Sequence, residues 1–145
     1  MASVGALIIA HTHPQRALLP MGSDTLLSRM VETFRAVGTS PIIVTVDGVH
    51  TPLAASLLGR PVTLLPMDRD SDMFSAVQQS ISKCPNALAR LFITPVSIPS
   101  FTAPLLLRML DCDRPVCRPE RNGIGLHPVL LHRSAMAQVA ISSAF

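Results

Sequence analysis

Two stretches constrain the fold more than anything else in the chain: residues 4–10 (VGALIIA) and 42–46 (IIVTV). Each is apolar at odd and even positions alike, so a strand built from either has two faces to cover. Both are too short for an ordinary helix, and the second is closed by Asp47-Gly48, a turn pair. Between them Leu26, Leu27, Met30, Val31, Phe34 and Val37 recur at helical spacing, with Ser23 or Asp24 as the cap and Gly38 as the stop. A strand covered on both faces, a helix and a second such strand predict a crossover unit of a parallel sheet.

The alternation continues to the end. Thr51 to Leu58 reads as a short helix closed by Gly59, and Val62 to Leu65 as a third strand. Ser71 or Asp72 caps a helix that turns Met73, Phe74, Val77 and Ile81 inward and stops at Pro85. Leu91 to Thr94 is a fourth strand. Thr102 caps a helix with Pro104 in its first turn and Leu105, Leu106, Met109 and Leu110 on its core side. Pro115 to Arg118 and His127 to Leu131 are short strands, and Ser134 to Ile141 is a final helix. The expected fold is therefore α/β: a three-layer sandwich around a mostly parallel, Rossmann-like sheet, with residues 1–145 as one domain. Its 48% apolar and 14% charged composition fits a packed core and excludes a disordered chain. Such sheets bind ligands outside the carboxyl ends of their strands. That rule gathers His11 to Arg16, Asp47-Gly48, Pro66 to Asp72 and Pro95 to Pro99 on one rim.

Several function classes are disfavoured. The longest apolar runs, Val4 to Ala10 and Leu105 to Leu107, fall far short of the roughly 20 residues of a membrane span. The first ten residues carry no Lys or Arg, so the basic start of a secretion signal is missing and a cytoplasmic location is expected. The net charge is +3, but the eleven arginines are scattered, and Trp and Tyr are absent, which leaves little for nucleic acid. Cys84, Cys112 and Cys117 are odd in number and lack the C-x2-C spacing of a zinc site, so free thiols are expected.

Leu18 to Gly22 with Thr25 to Arg29, Asp72 to Val77, Leu91 to Pro99 and Gly125 to Leu131, in that order, resemble segments of the MobA-like nucleotidyltransferases, which attach GMP or CMP to molybdopterin. Leu18-Leu19-Pro20-Met21-Gly22 with Thr25 to Arg29 is similar to the stretch after that family's first loop. Asp72 to Val77 resembles its Gly-Met-x-x-Ser-Val helix start, and Leu91 to Pro99 its strand ending in Pro-Val-Asp-x-Pro. Gly125 to Leu131 resembles Gly-His-Pro-Val-Leu-Leu, with Leu126 inserted. The resemblance implies transfer of a nucleotidyl group from an NTP to a molybdopterin-type acceptor, with Mg²⁺ as cofactor.

The departures fall on the chemistry. The family's glycine-rich loop cradles the triphosphate with backbone N–H groups, since glycine lets the chain approach an anion closely. Here the stretch is Ala10-His11-Thr12-His13-Pro14-Gln15-Arg16, without glycine. Arg16 stands where the family has its lysine and can bind phosphate as a fork. His11, His13 and Ser97 complete the candidate nucleotide contacts, and His127 is the candidate on the acceptor side. Ser97 replaces the carboxylate that ligates the family's Mg²⁺, a cation that wants such oxygens. Asp47 and Asp72 are the acids left on the rim to serve it. The family runs on for several tens of residues beyond the position of Phe145, so this chain reads as shortened at its C-terminal end. The resemblance thus implies a transferase domain whose activity is weakened or lost. The alternative is a non-catalytic module binding a nucleotide, a molybdopterin-like small molecule, another protein or a second copy of itself, with Ala135 to Phe145 as a contact surface. A third option is a metal-dependent hydrolase built on His11 and His13, alternate residues that share a face of extended chain.

Overall fold

The computed structural model describes residues 3–96 and 101–142. The chain runs β1 (Val4–Ile9), α1 (Pro14–Ala17), β2 (Pro20–Met21), β3 (Asp24–Thr25), α2 (Leu26–Ala36) and β4 (Ile42–Val46). It continues through α3 (Pro52–Ala55), β5 (Thr63–Pro66), α4 (Met73–Lys83), β6 (Arg90–Pro95) and α5 (Ala103–Met109). Then follow β7 (Val116–Cys117), β8 (Glu120–Arg121), β9 (Ile124–Gly125), β10 (Val129–His132) and α6 (Arg133–Ile141).

Six strands form the central sheet in the order β5-β4-β1-β6-β10-β7. The first four are parallel, with Ile8 level with Val44 on one side and Thr94 on the other. β10 runs antiparallel to β6, and β7 antiparallel to β10. This is the mostly parallel, Rossmann-like sheet that the sequence pattern predicts.

The double-faced apolarity of β1 has its cause in two cores. Ala6, Ile8 and Ala10 join Phe92, helix α2 through Leu27, Met30, Val31 and Phe34, α3 through Leu53, and α5 through Leu106 and Met109. Leu7 and Ile9 point the other way, into a core with Ile43, Leu91, Ile93, Ala76 of α4 and Met136 of α6. On that second face Gln78 donates from Nε2 to the carbonyls of Val139 and Ser142 at 2.9 and 2.7 Å, tying α4 to the end of α6.

Local details correct the sequence expectations. Helix α2 is capped by Thr25, whose Oγ1 accepts the Ser28 N–H at 3.1 Å, and not by Ser23 or Asp24. Asp24 instead accepts the Thr25 N–H and an Arg60 guanidinium N–H, at 2.9 and 3.2 Å. Thr25→Ala is expected to cost about 1 kcal/mol, read as a lower urea midpoint at unchanged slope. Met73 lies exposed at the start of α4, because the buried positions of that helix are Ala76 and Ser80. The stretch 51–58 holds only one helical turn, capped by Thr51. Of the proposed C-terminal contact surface, Ala135, Met136 and Val139 are packed into the second core, while Ile141 is exposed.

The cysteines are not all free. Cys112 and Cys117 form a disulfide across the turn between α5 and β7, with Cα atoms 6.5 Å apart, inside the usual bridging range. An odd count of cysteines does not prevent two of them from meeting across a turn. Cys84 remains free and half-buried, and burial raises its thiol pKa. Closing so short a loop stabilises the fold by about 2 kcal/mol in the chain-entropy account. The double replacement of Cys112 and Cys117 by alanine is expected to lose about that much in a denaturant titration.

Candidate functional site

The chain leaves β1 toward β4 and later crosses back to β6, so β1 marks the place where strand order reverses. The carboxyl ends of β1 and β6 lie side by side there, the crevice position at which open α/β sheets bind ligands. Residues 10–16, 66–72 and the end of β6 surround it. β10 is antiparallel, so it begins near the same rim: Val129 pairs with Ile93, and His127 precedes Val129 by two residues. His11, Arg16, Asp47, Asp72 and His127 therefore share this edge. Ser97 lies outside the described residues.

His11 is fully buried. Its Nε2 lies 2.9 Å from the Ser71 carbonyl oxygen, and its Nδ1 lies 2.8 Å from Thr45 Oγ1. Thr45 Oγ1 also accepts the Ala10 and His11 N–H groups at 2.9 and 3.3 Å. Both ring nitrogens are thus engaged inside the protein. The sequence signal for this network is the hydroxyl in IIVTV, a polar residue in an otherwise apolar strand.

Pro14 opens α1, where its missing N–H costs no hydrogen bond. His13 precedes it, exposed, with Nδ1 3.0 Å from Thr12 Oγ1. Arg16 stands in the last turn of α1 with its side chain in solvent. Among the described residues its guanidinium has no hydrogen bond or ion pair, whereas Arg60 and Arg35 are both paired. A free guanidinium on the rim is ready for an anion.

On the other side of β1, Asp47, Asp68, Ser71 and Gln79 help line a cavity of about 320 Å³. Asp47 Oδ1 is buried there without a hydrogen-bond partner. Asp72 caps α4 by accepting the Ser75 N–H at 2.7 Å. That bond, aided by the Ser75 hydroxyl, holds the Asp72 carboxyl below its ordinary 3.8. Its contribution to the helix start is present above that value and is lost as pH falls through the lower folded one. Among the described residues no three His, Cys, Asp or Glu side chains are grouped to hold a metal. A hard divalent cation is nonetheless commonly met by one carboxylate plus phosphate oxygens, and Asp47 offers an unsatisfied carboxylate oxygen.

His127 is half-buried, and its Nδ1 is enclosed without a partner. Burial, and secondarily the charge of Arg118, push its pKa below the ordinary 6.5. The Arg118 guanidinium lies close over Gly125: a Cβ at that position would come 2.5 Å from Arg118 Nε. A side chain at position 125 would require the Arg118 guanidinium to swing aside. It belongs to the β8–β9 hairpin, whose turn residues Asn122 and Gly123 both take positive φ, the conformation that an Asn-Gly pair favours. The imidazole of His127 is expected to titrate below 6.5, and Arg118→Gln to move it upward, as followed by its ring-proton NMR shifts.

A mostly parallel, doubly wound sheet with an unpaired guanidinium near its reversal point is the α/β architecture that holds ligands at the carboxyl ends of its strands. More narrowly, the chain belongs to the MobA-like NTP transferase domain family, which it matches over residues 12–143. No curated protein matches it in sequence. Solved structures do match in fold. Rv0371c of Mycobacterium tuberculosis H37Rv, solved as a complex with manganese, superposes with a TM-score of 0.82 at 16% identity, over 98% of this chain and 77% of that one. The Methanothermobacter nucleotidyl transferase Mth528 gives 0.80 at 15% identity, over 97% and 77%. A CMP:2-keto-3-deoxy-manno-octonic acid synthetase complexed with CTP gives 0.75 at 10%, over 94% and 77%.

Proposed function

We propose that the rim between β1 and β6 binds a nucleoside triphosphate and transfers its nucleotidyl group to a molybdopterin-type acceptor. The observation that carries this is Arg16, a guanidinium without an ion pair among the described residues, at the reversal point of a nucleotidyltransferase-family sheet. Arg16 grips the phosphates as a fork, which fixes their orientation and offsets their charge. His13 and Ser97 add polar contacts to the same chain of oxygens. Asp47, with Asp72 beside the cavity, would hold Mg²⁺, which when bound supplies charge neutralisation as pyrophosphate leaves. His127, just ahead of β10, faces the acceptor. Its neutral ring, favoured by burial and Arg118, leaves a nitrogen to bind an acceptor hydroxyl or to take its proton.

Transfer of this kind depends on positioning and on charge stabilisation. The first loop has no glycine between Gly5 and Gly22, and position 97 carries no charge. We therefore place the turnover below that of a site with a glycine-rich loop and an aspartate at that position. Calorimetric titration of CTP and GTP with Mg²⁺, with pyrophosphate release as the second readout, tests the proposal. Heat of binding with slow release is the expected result; no heat at millimolar nucleotide would end the enzyme reading. The lack of a three-ligand metal group among the described residues favours a second reading, a cytoplasmic module that binds nucleotide or a second copy of itself without turnover. Binding without release, or dimers by light scattering, would select it.

A further inference from the structure

The polar network under the rim admits one arrangement of protons. A carbonyl oxygen only accepts, so the His11 nitrogen facing Ser71, Nε2, must carry the hydrogen. In the neutral ring the other nitrogen, Nδ1, is then a bare lone pair. Thr45 Oγ1 already accepts two backbone N–H groups, and its own proton completes the bond to Nδ1. Donors and acceptors are matched at each point, and the His11 and Thr45 side chains are fully buried.

The network joins three pieces of chain that are far apart in sequence: the end of β1, the end of β4, and the turn before α4. That turn, residues 67–71, is held at its start by the Met67 N–H on the Val46 carbonyl at 2.8 Å. Inside it the Ser71 N–H returns to the Asp68 carbonyl at 2.9 Å. The tether at its far end is the His11 bond to the Ser71 carbonyl. Ser71 and Asp68 form one wall of the cavity, and Asp47 stands two residues beyond Thr45 on another.

From this geometry we infer that His11 is a positioning residue: it holds the 67–71 turn, from beneath, as the fixed wall of the cavity beside Asp47, where the proposed nucleotide site would hold its cation. This rests on the reading of the rim as a nucleotide site. The ring contributes by its shape and its two hydrogen bonds, and the cavity's affinity is set by how firmly the turn is held. Thr45 belongs to the same device, because it fixes which nitrogen carries the proton. Losing the tether leaves the turn free to sample open states, which a ligand must then close again before it binds tightly.

The test compares the unaltered protein with His11→Ala, His11→Gln and Thr45→Val. Amide hydrogen exchange is read at residues 67–75, and CTP and GTP binding by calorimetry, with circular dichroism to confirm folding. A glutamine amide can donate to Ser71 and accept from Thr45, so it separates the hydrogen bonds from the imidazole. His11→Ala and Thr45→Val are expected to exchange roughly tenfold or more faster at residues 67–75, with the sheet amides unchanged. His11→Gln is expected to restore most of that protection, and nucleotide affinity to follow the same order. In the unaltered protein, ¹⁵N NMR is expected to show a slowly exchanging Nε2–H on His11. Unchanged exchange in His11→Ala, or the Nδ1–H form of the ring, would overturn the inference. Should His11→Ala fail to fold, Thr45→Val decides alone by the same exchange readout. Faster exchange in a protein that binds no nucleotide at all would retain the tether and overturn the site reading instead.

Discussion

Phe34→Ala is expected to destabilise the protein by about 3–5 kcal/mol, a large share of the roughly 5–15 kcal/mol that holds a domain together. Phe34 is fully buried on α2, with ring centroids 5.6 Å from Phe92 on β6 and 4.8 Å from Phe101. Three aromatic rings from three parts of the chain are therefore packed through one residue. Removal of the ring takes away its burial, leaves a cavity that a sheet and two helices cannot collapse, and breaks two tilted ring pairs worth roughly 0.5–1.5 kcal/mol each. The loss would be read as a lower urea midpoint. Phe34→Leu, which keeps much of the volume, is expected to lose far less. A change below about 1 kcal/mol for Phe34→Ala would mean that the core is not packed as described.

The arrangement around Phe34 was legible in the sequence because burial leaves a period behind. Leu26, Leu27, Met30, Val31 and Phe34 form a stripe that only one face of a helix can bury. VGALIIA and IIVTV have no polar parity, and the structure gives each strand two cores. The rim was legible in part. The carboxyl-end rule gathered His11 to Arg16, Asp47-Gly48, Pro66 to Asp72 and Pro95 to Pro99 on one edge; the parallel strands β1, β4, β5 and β6 end side by side, and residues 97–99 lie outside the described residues. The partners of the rim residues were not legible, because a hydrogen bond between His11 and Ser71 spans sixty residues and leaves no local pattern. The Cys112–Cys117 bond was missed for a related reason: its spacing matches no metal motif, and only the fold of the turn brings the sulfurs together. The approach of the Arg118 guanidinium to Gly125 was hidden too, since the sequence suggested only a turn there.

Arg16→Ala is expected to weaken triphosphate binding roughly 10- to 100-fold, the range of a charge-assisted hydrogen bond to an anion. Among the described residues, Arg16 combines exposure, a free guanidinium and a place beside the crevice. Arg60 is committed to Asp24 and Glu32, and Arg35 to Glu32, so they are poor substitutes. The free state loses little with the mutation, because no partner is left unsatisfied and α1 keeps its Pro14 start. Stability should therefore stay within about 0.5 kcal/mol of the unaltered protein, which separates a binding loss from a folding loss. Arg16→Lys distinguishes two roles for the cation. If only charge matters, lysine retains most of the affinity; if the planar fork orients the phosphates, lysine binds but turns over more slowly. Salt supplies a further check, since an exposed pair between Arg16 and phosphate weakens as ionic strength rises and the alanine variant should respond less steeply. Calorimetry with CTP and GTP at two salt concentrations measures all of this, and equal affinities for the unaltered and alanine proteins would remove Arg16 from the site.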